Sequence, residues 1–167
     1  PGYDLLFAKL QKHYPDRCQS YQQAFEYIRE KEEKFLAETK NCWLIHGDAH
    51  PENVIKMSAE TMGVIDFTDV CLADFARDLA AFLQQFEFMS IRKINNDAYI
   101  QGAKKLFLDS YLKRASVKLD ESLRDRINCY YSWTSLRTAV LFLLKEAPET
   151  ERAHDLLAKA RRNLKLD

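Results

Sequence analysis

Between Cys42 and Asp74 the chain gathers side chains suited to handling a proton, a phosphate or a divalent cation. His46, Asp48, His50 and Asn53 fall in one short segment, and Asp66 and Asp69 follow it. The order His46-x-Asp48-x-x-x-x-Asn53, with Asp66 closing a later apolar run, predicts a magnesium-dependent phosphoryl-transfer site. An aspartate on a rigid loop can accept a hydrogen bond from an attacking hydroxyl and aim it in line with phosphorus. An amide oxygen and a second carboxylate suit magnesium, which takes a few such oxygens and fills its octahedron with water and phosphate. Asp48 is therefore the expected base, and Asn53 and Asp66 the expected metal ligands. His46, His50 and Asp69 are supporting candidates. His46 reads as a hydrogen-bonded brace of the loop rather than a proton carrier, and Asp69 is as well suited to bracing as to chemistry.

Three short apolar runs must position these residues: Trp43 to Ile45, Val54 to Lys56 and Met62 to Ile65. They are the strand candidates, and the last two form a hairpin around Ser58 to Thr61. Everything else reads as helix. Tyr3 to Leu10 predicts a short helix, and Pro15 a break between His13 and Arg17. Ser20 then caps a long helix to about Glu38, with Tyr21, Ala24, Phe25, Ile28 and Phe35 on one face and charges on the other. Asp74 caps the next helix, which turns Leu79, Phe82, Leu83 and Phe86 inward, and Asp78 belongs to its first turn. A further helix spans Asp97 to Leu112, with Ile100, Ala103, Leu106, Phe107 and Tyr111 on its apolar side. Another runs from Asp120 to Glu146 and stops before Pro148. The last carries Ala153, Leu156, Leu157, Ala160 and Leu164. The expected fold is mainly α with a small β element (α+β), in one domain over residues 1–167.

Composition narrows the functional classes. Lys plus Arg and Asp plus Glu balance at 25 each, which gives no reason to expect nucleic acid or an anionic membrane as partner. The four cysteines form no C-x-x-C pair, so reduced thiols of a cytoplasmic protein are expected rather than zinc or disulfides. No secretory leader is evident, and no apolar run reaches the length of a membrane span. The four glycines, at positions 2, 47, 63 and 102, make neither a P-loop nor a dinucleotide fingerprint.

The spacing from His46 to Asn53 matches the protein-kinase catalytic loop, and Ile65-Asp66-Phe67 resembles its Asp-Phe-Gly without the glycine. His-Gly-Asp-x-His-Pro-x-Asn, then Ile-Asp-Phe-x-Asp and Asp-x-x-x-Asp-Leu-Ala, resembles the aminoglycoside phosphotransferase family over His46 to Ala80. That resemblance implies the C-terminal lobe of a protein-kinase-like fold, using ATP or GTP with magnesium on a small-molecule hydroxyl. It implies Asp48 as base, Asn53 and Asp66 as magnesium ligands, and flanking helices as walls of the substrate pocket. Glu52 stands where many members have glycine. Nothing before His46 resembles the family's nucleotide-binding lobe, with its sheet, phosphate loop and lysine. The chain is therefore expected to need that lobe in cis, and by itself to bind ATP weakly and turn over negligibly. The acceptor stays open among aminoglycosides, other antibiotics and metabolites such as choline, homoserine or a sugar amine. A polycationic acceptor would call on carboxylates such as Asp69, Asp97 and Glu87.

Two other classes compete. One is a kinase-derived module that binds without catalysing, against which the intact Asp48, Asn53 and Asp66 speak. The other is a metallohydrolase built on the alternation His46, Asp48, His50. That chemistry needs more ligands from other strand ends, and the remaining histidines, His13 and His154, lie far away in sequence.

Overall fold

A computed structural model of the chain describes residues 3–39 and 41–166. In order, the elements are helices α1 (Tyr3–His13) and α2 (Pro15–Thr39), strand β1 (Trp43–Ile45), a 3-10 turn at Pro51–Asn53, and strands β2 (Val54–Lys56) and β3 (Met62–Val64). A second 3-10 turn at Phe67–Asp69, strand β4 (Cys71–Ala73) and helices α3 (Ala76–Ile91), α4 (Asp97–Ala115), α5 (Glu121–Leu144) and α6 (Thr150–Leu164) complete it. The expected mainly α composition with a small β element is what the chain adopts. It divides into two compact units, one of Pro1–Thr39 with Asn128–Asp167, the other of Lys40–Ile127.

The first unit is all helix. Its core joins Tyr21, Ala24 and Ile28 of α2 to Leu136, Val140 and Leu143 of α5 and to Ala153, Leu157 and Leu164 of α6. Pro15 does not disrupt this unit as widely as the sequence predicts. It opens α2, where the proline's missing N–H would have had no helical partner. The break shrinks to Tyr14, whose amide still donates to the Leu10 carbonyl at 2.7 Å and whose hydroxyl donates to the Leu143 carbonyl at 3.2 Å. Ser20 consequently lies inside α2 and caps nothing.

The second unit carries both sheets. β2 and β3 pair antiparallel with Val54 opposite Val64 and Lys56 opposite Met62. Their turn is tied by the Ser58 hydroxyl oxygen, which accepts the amides of Glu60 and Thr61 at 3.2 and 3.1 Å. β1 pairs antiparallel with β4, Trp43 opposite Ala73 and Ile45 opposite Cys71. β4 was not foreseen, because its short run lies between Asp69 and Asp74 and reads as a loop.

Helix α3 buries Ala76, Leu79, Ala80 and Leu83. It meets α4 through the Phe82 and Phe107 rings, stacked at 4.3 Å, and through the Glu87–Lys104 ion pair. Ile100 of α4 is buried as expected, but Leu106 is 68% exposed. Leu106 is offset by about 100° from Phe107 around the helix, and Phe107 takes the contact with α3. Asn96 caps α4 by accepting the Tyr99 amide at 3.0 Å, and Asp120 accepts the Leu123 amide at 2.8 Å ahead of α5. Among the described residues no helix is long and apolar enough to cross a membrane.

Candidate functional site

The segment from the end of β1 to the start of β2 is held from both sides. Asp78, in the first turn of α3, accepts the His46 amide on Oδ2 at 2.7 Å and the Gly47 amide on Oδ1 at 3.0 Å. One carboxylate thus satisfies two successive loop amides, a charge-assisted arrangement stronger than two neutral bonds. Sequence reasoning read Asp78 only as a helix-start residue. Its place in the Asp74-x-x-x-Asp78 pair was the available signal, but nothing local showed what the side chain would meet.

His46 braces the other side. Its Nε2 lies 2.8 Å from the Ile65 carbonyl, so Nε2 carries the proton, and Nδ1 is left to accept the Asp48 amide at 3.4 Å. The ring also packs on Phe67 with centroids 5.1 Å apart. Gly47 turns with φ +83, where a side chain is strained, and a Cβ there would sit 2.0 Å from the Asp69 carbonyl oxygen. Asp69 thus contributes its backbone to the loop's packing. No bond joins its carboxylate to the other site residues.

Asp48 is about a third exposed (35%), so solvent or substrate can reach its carboxylate, and its Oδ2 stands 3.5 Å from His50 Nε2. Asn53 is buried. Its Nδ2 donates to the Asp48 carbonyl at 3.0 Å, and its own backbone carbonyl accepts the Ile65 amide at 3.0 Å. The amide orientation leaves Asn53 Oδ1 as the atom free to bind a cation. Asp66 adopts φ 61 and ψ 65, a left-handed conformation that costs an aspartate about 1–3 kcal/mol. Its Oδ1 accepts the Thr68 hydroxyl at 2.8 Å, and Oδ2 is left open in an exposed residue.

His46, Asp48, His50 and Asn53 therefore form one bonded loop. Asp66 adjoins it through Ile65, whose amide and carbonyl serve Asn53 and His46 respectively. Such an arrangement offers one reachable carboxylate, one amide oxygen and one carboxylate oxygen. That donor set suits a hard cation whose other positions are filled by phosphate and water. Among the described residues no three His, Cys, Asp or Glu side chains converge on a metal. A zinc or iron centre on His46, Asp48 and His50 would need such a group. Glu87 is buried and ion-paired with Lys104, which takes it away from any cationic ligand. Asp97 accepts a 3.4 Å bond from Gln101 at the start of α4. Tyr111 has its pKa raised, first by burial and then by the nearby charge of Asp78. The four cysteines are free thiols, with Cys18 and Cys129 buried.

The family model described as the APH phosphotransferase enzyme family matches residues 3–115. The matched stretch runs from α1 through the loop and both sheets to the end of α4. No curated protein and no solved structure matches the chain.

Proposed function

The chain belongs to the APH phosphotransferase enzyme family, with the kinase-like fold that membership implies, and from that premise we propose the catalytic lobe of an ATP-dependent small-molecule kinase. In this reading an acceptor hydroxyl oxygen attacks the γ-phosphorus, the bond to the bridging oxygen breaks, and ADP leaves. Asp48 accepts the hydroxyl's proton and aims its lone pair. His50, beside Asp48 Oδ2, steadies that carboxylate. Asn53 Oδ1 and Asp66 would hold magnesium, which when bound neutralises charge on the phosphates.

One observation carries the reading. The side-chain amide of Asn53 is turned by the Asp48 carbonyl while its backbone is bonded to Ile65. The base, the amide oxygen and the Asp66 carboxylate are therefore carried by mutually bonded backbone. Met62 and Val64, which share one face of the same hairpin, are 59% and 49% exposed. An apolar surface beside phosphate-binding groups suits a purine ring. The reading includes a nucleotide-binding lobe in cis that supplies a phosphate loop and a phosphate-binding lysine. The acceptor is a hydroxyl-bearing small molecule, and Asp69 and Asp97 are the carboxylates available to a cationic one.

The experiment is phosphate transfer from labelled ATP, with magnesium, to a panel of hydroxyl-bearing antibiotics and metabolites, using protein that includes the nucleotide lobe. Acceptor-dependent transfer is expected. Asp48→Asn should lower turnover by about 10²–10⁴-fold while ATP binding persists. Unchanged turnover in that variant, or ATP consumption indifferent to every acceptor, would refute the assignment.

A further inference from the structure

We propose that Arg126 is a positioning residue for the loop His46–Asp48, acting through its ion pair with Asp74 and its contact with the Phe75 ring. The link to turnover rests on the kinase reading above; the geometric claim does not.

Asp74 follows β4 and precedes α3, and it is fully buried. Its Oδ1 accepts Arg126 Nη1 at 2.6 Å and the Ala76 amide at 3.1 Å, and its backbone carbonyl accepts the Arg77 amide at 3.0 Å. The other carboxylate oxygen, Oδ2, is buried without a hydrogen-bond partner. An incompletely satisfied buried pair is a poor device for stability, because an apolar pair of similar volume is often as good or better. A positional role accounts for it more simply.

Phe75 has three aromatic or cationic neighbours. It meets Trp43 edge-on at 5.0 Å, stacks on Tyr111 at 6.4 Å, and lies 5.6 Å from the Arg126 guanidinium carbon. Trp43 begins β1, the strand that delivers His46. Ala76 begins α3, the helix that delivers Asp78. Both halves of the bond between Asp78 and the loop amides are thus set by residues that Arg126 contacts directly or through one ring. The Tyr111 side chain, stacked on Phe75, also feels the Asp78 charge. Bonds of 2.7 and 3.0 Å to two successive amides tolerate little displacement of the carboxylate.

The test uses the chain as described and reads amide hydrogen exchange by NMR, with the Val140 amide of the other unit as reference. In the double variant Asp74→Asn/Arg126→Met the buried charges are gone. Its melting temperature is expected to stay within a few degrees of the parent, while His46 and Gly47 exchange at least ~10-fold faster. Unchanged exchange at both amides overturns the proposal. If the double variant does not fold, Arg126→Lys decides. It keeps a charge for Asp74 but loses the planar group over Phe75. Exchange about 2–10-fold faster supports the proposal, and parental exchange overturns it. In the enzyme assay the same variants should lower kcat and leave the KM for ATP unchanged. A parent protein inactive on every acceptor would sink the kinase reading, and the exchange result would still decide the role of Arg126.

Discussion

Gly47 and Asp66 both hold backbone conformations that L side chains resist, and they respond to substitution in opposite directions. At Gly47 a methyl group would collide with the Asp69 carbonyl at 2.0 Å and meet the strain of φ +83. Gly47→Ala is expected to cost more than about 2 kcal/mol in urea unfolding. At Asp66 the strain is already present, with φ 61. Asp66→Gly should hold or raise stability by up to about 1 kcal/mol while weakening the magnesium dependence of transfer. A magnesium titration beside a denaturation curve checks both halves. Asp48, Asn53 and Asp66 could be singled out as candidates from the sequence because the chemistry proposed for them depends on residue type and local spacing. Asp78 could not, because its role lies in two amides supplied by a different element.

At the scale of elements, the tie between α3 and the end of β1 outweighs most single packing contacts. Asp78→Ala removes the acceptor of two amides and leaves both to find water or stay unpaired. Hydrogen bonds to charged groups contribute about 1.5–3 kcal/mol each, so a total loss of about 3–6 kcal/mol is expected in equilibrium denaturation. Asp78→Asn, which keeps one acceptor oxygen, should lose roughly half of that. Helix existence was legible along the chain because apolar residues recur at helical spacing, as at Ala153, Leu157, Ala160 and Leu164, all buried in α6. Helix starts were less legible. Pro15 opens α2 rather than interrupting it, and Ser20, read as its cap, lies inside it. Periodicity marks an apolar face without saying how much of it a neighbour covers, which is why Leu106 was expected inside and lies outside.

For the molecule as a whole, equal numbers of acidic and basic residues leave no large net charge to repel itself near neutral pH. Alkaline conditions are expected to weaken the fold. Tyr21 is 1% exposed and donates to the Ala153 carbonyl at 3.4 Å. Burial raises its pKa far above the ordinary 10.0, against a smaller opposing pull from the Arg17 charge. The folded state therefore holds the phenol proton where the unfolded chain would release it. The stability this contributes is complete below pH 10 and is lost as pH rises through the alkaline range. Tyr111 is shifted the same way, with less effect because it is more exposed. Unfolding free energy measured from pH 8 upward should decline past pH 10, and Tyr21→Phe should flatten that decline. An unaltered slope in the variant would assign the alkaline loss to other groups.

Along the chain, the candidate chemistry and the helical character were determined by the sequence itself. The spacing from His46 to Asn53 spans one loop and a 3-10 turn, and the β2–β3 hairpin needs only its own turn residues. Tertiary structure alone decided which distant atoms meet: Asp78 with the His46 and Gly47 amides, the Asp69 carbonyl against Gly47, β4 beside β1, and Arg126 with Asp74. The difference is one of range. Propensity, capping and periodicity act over a few residues, whereas a carboxylate's partner many residues away is set by how whole elements pack.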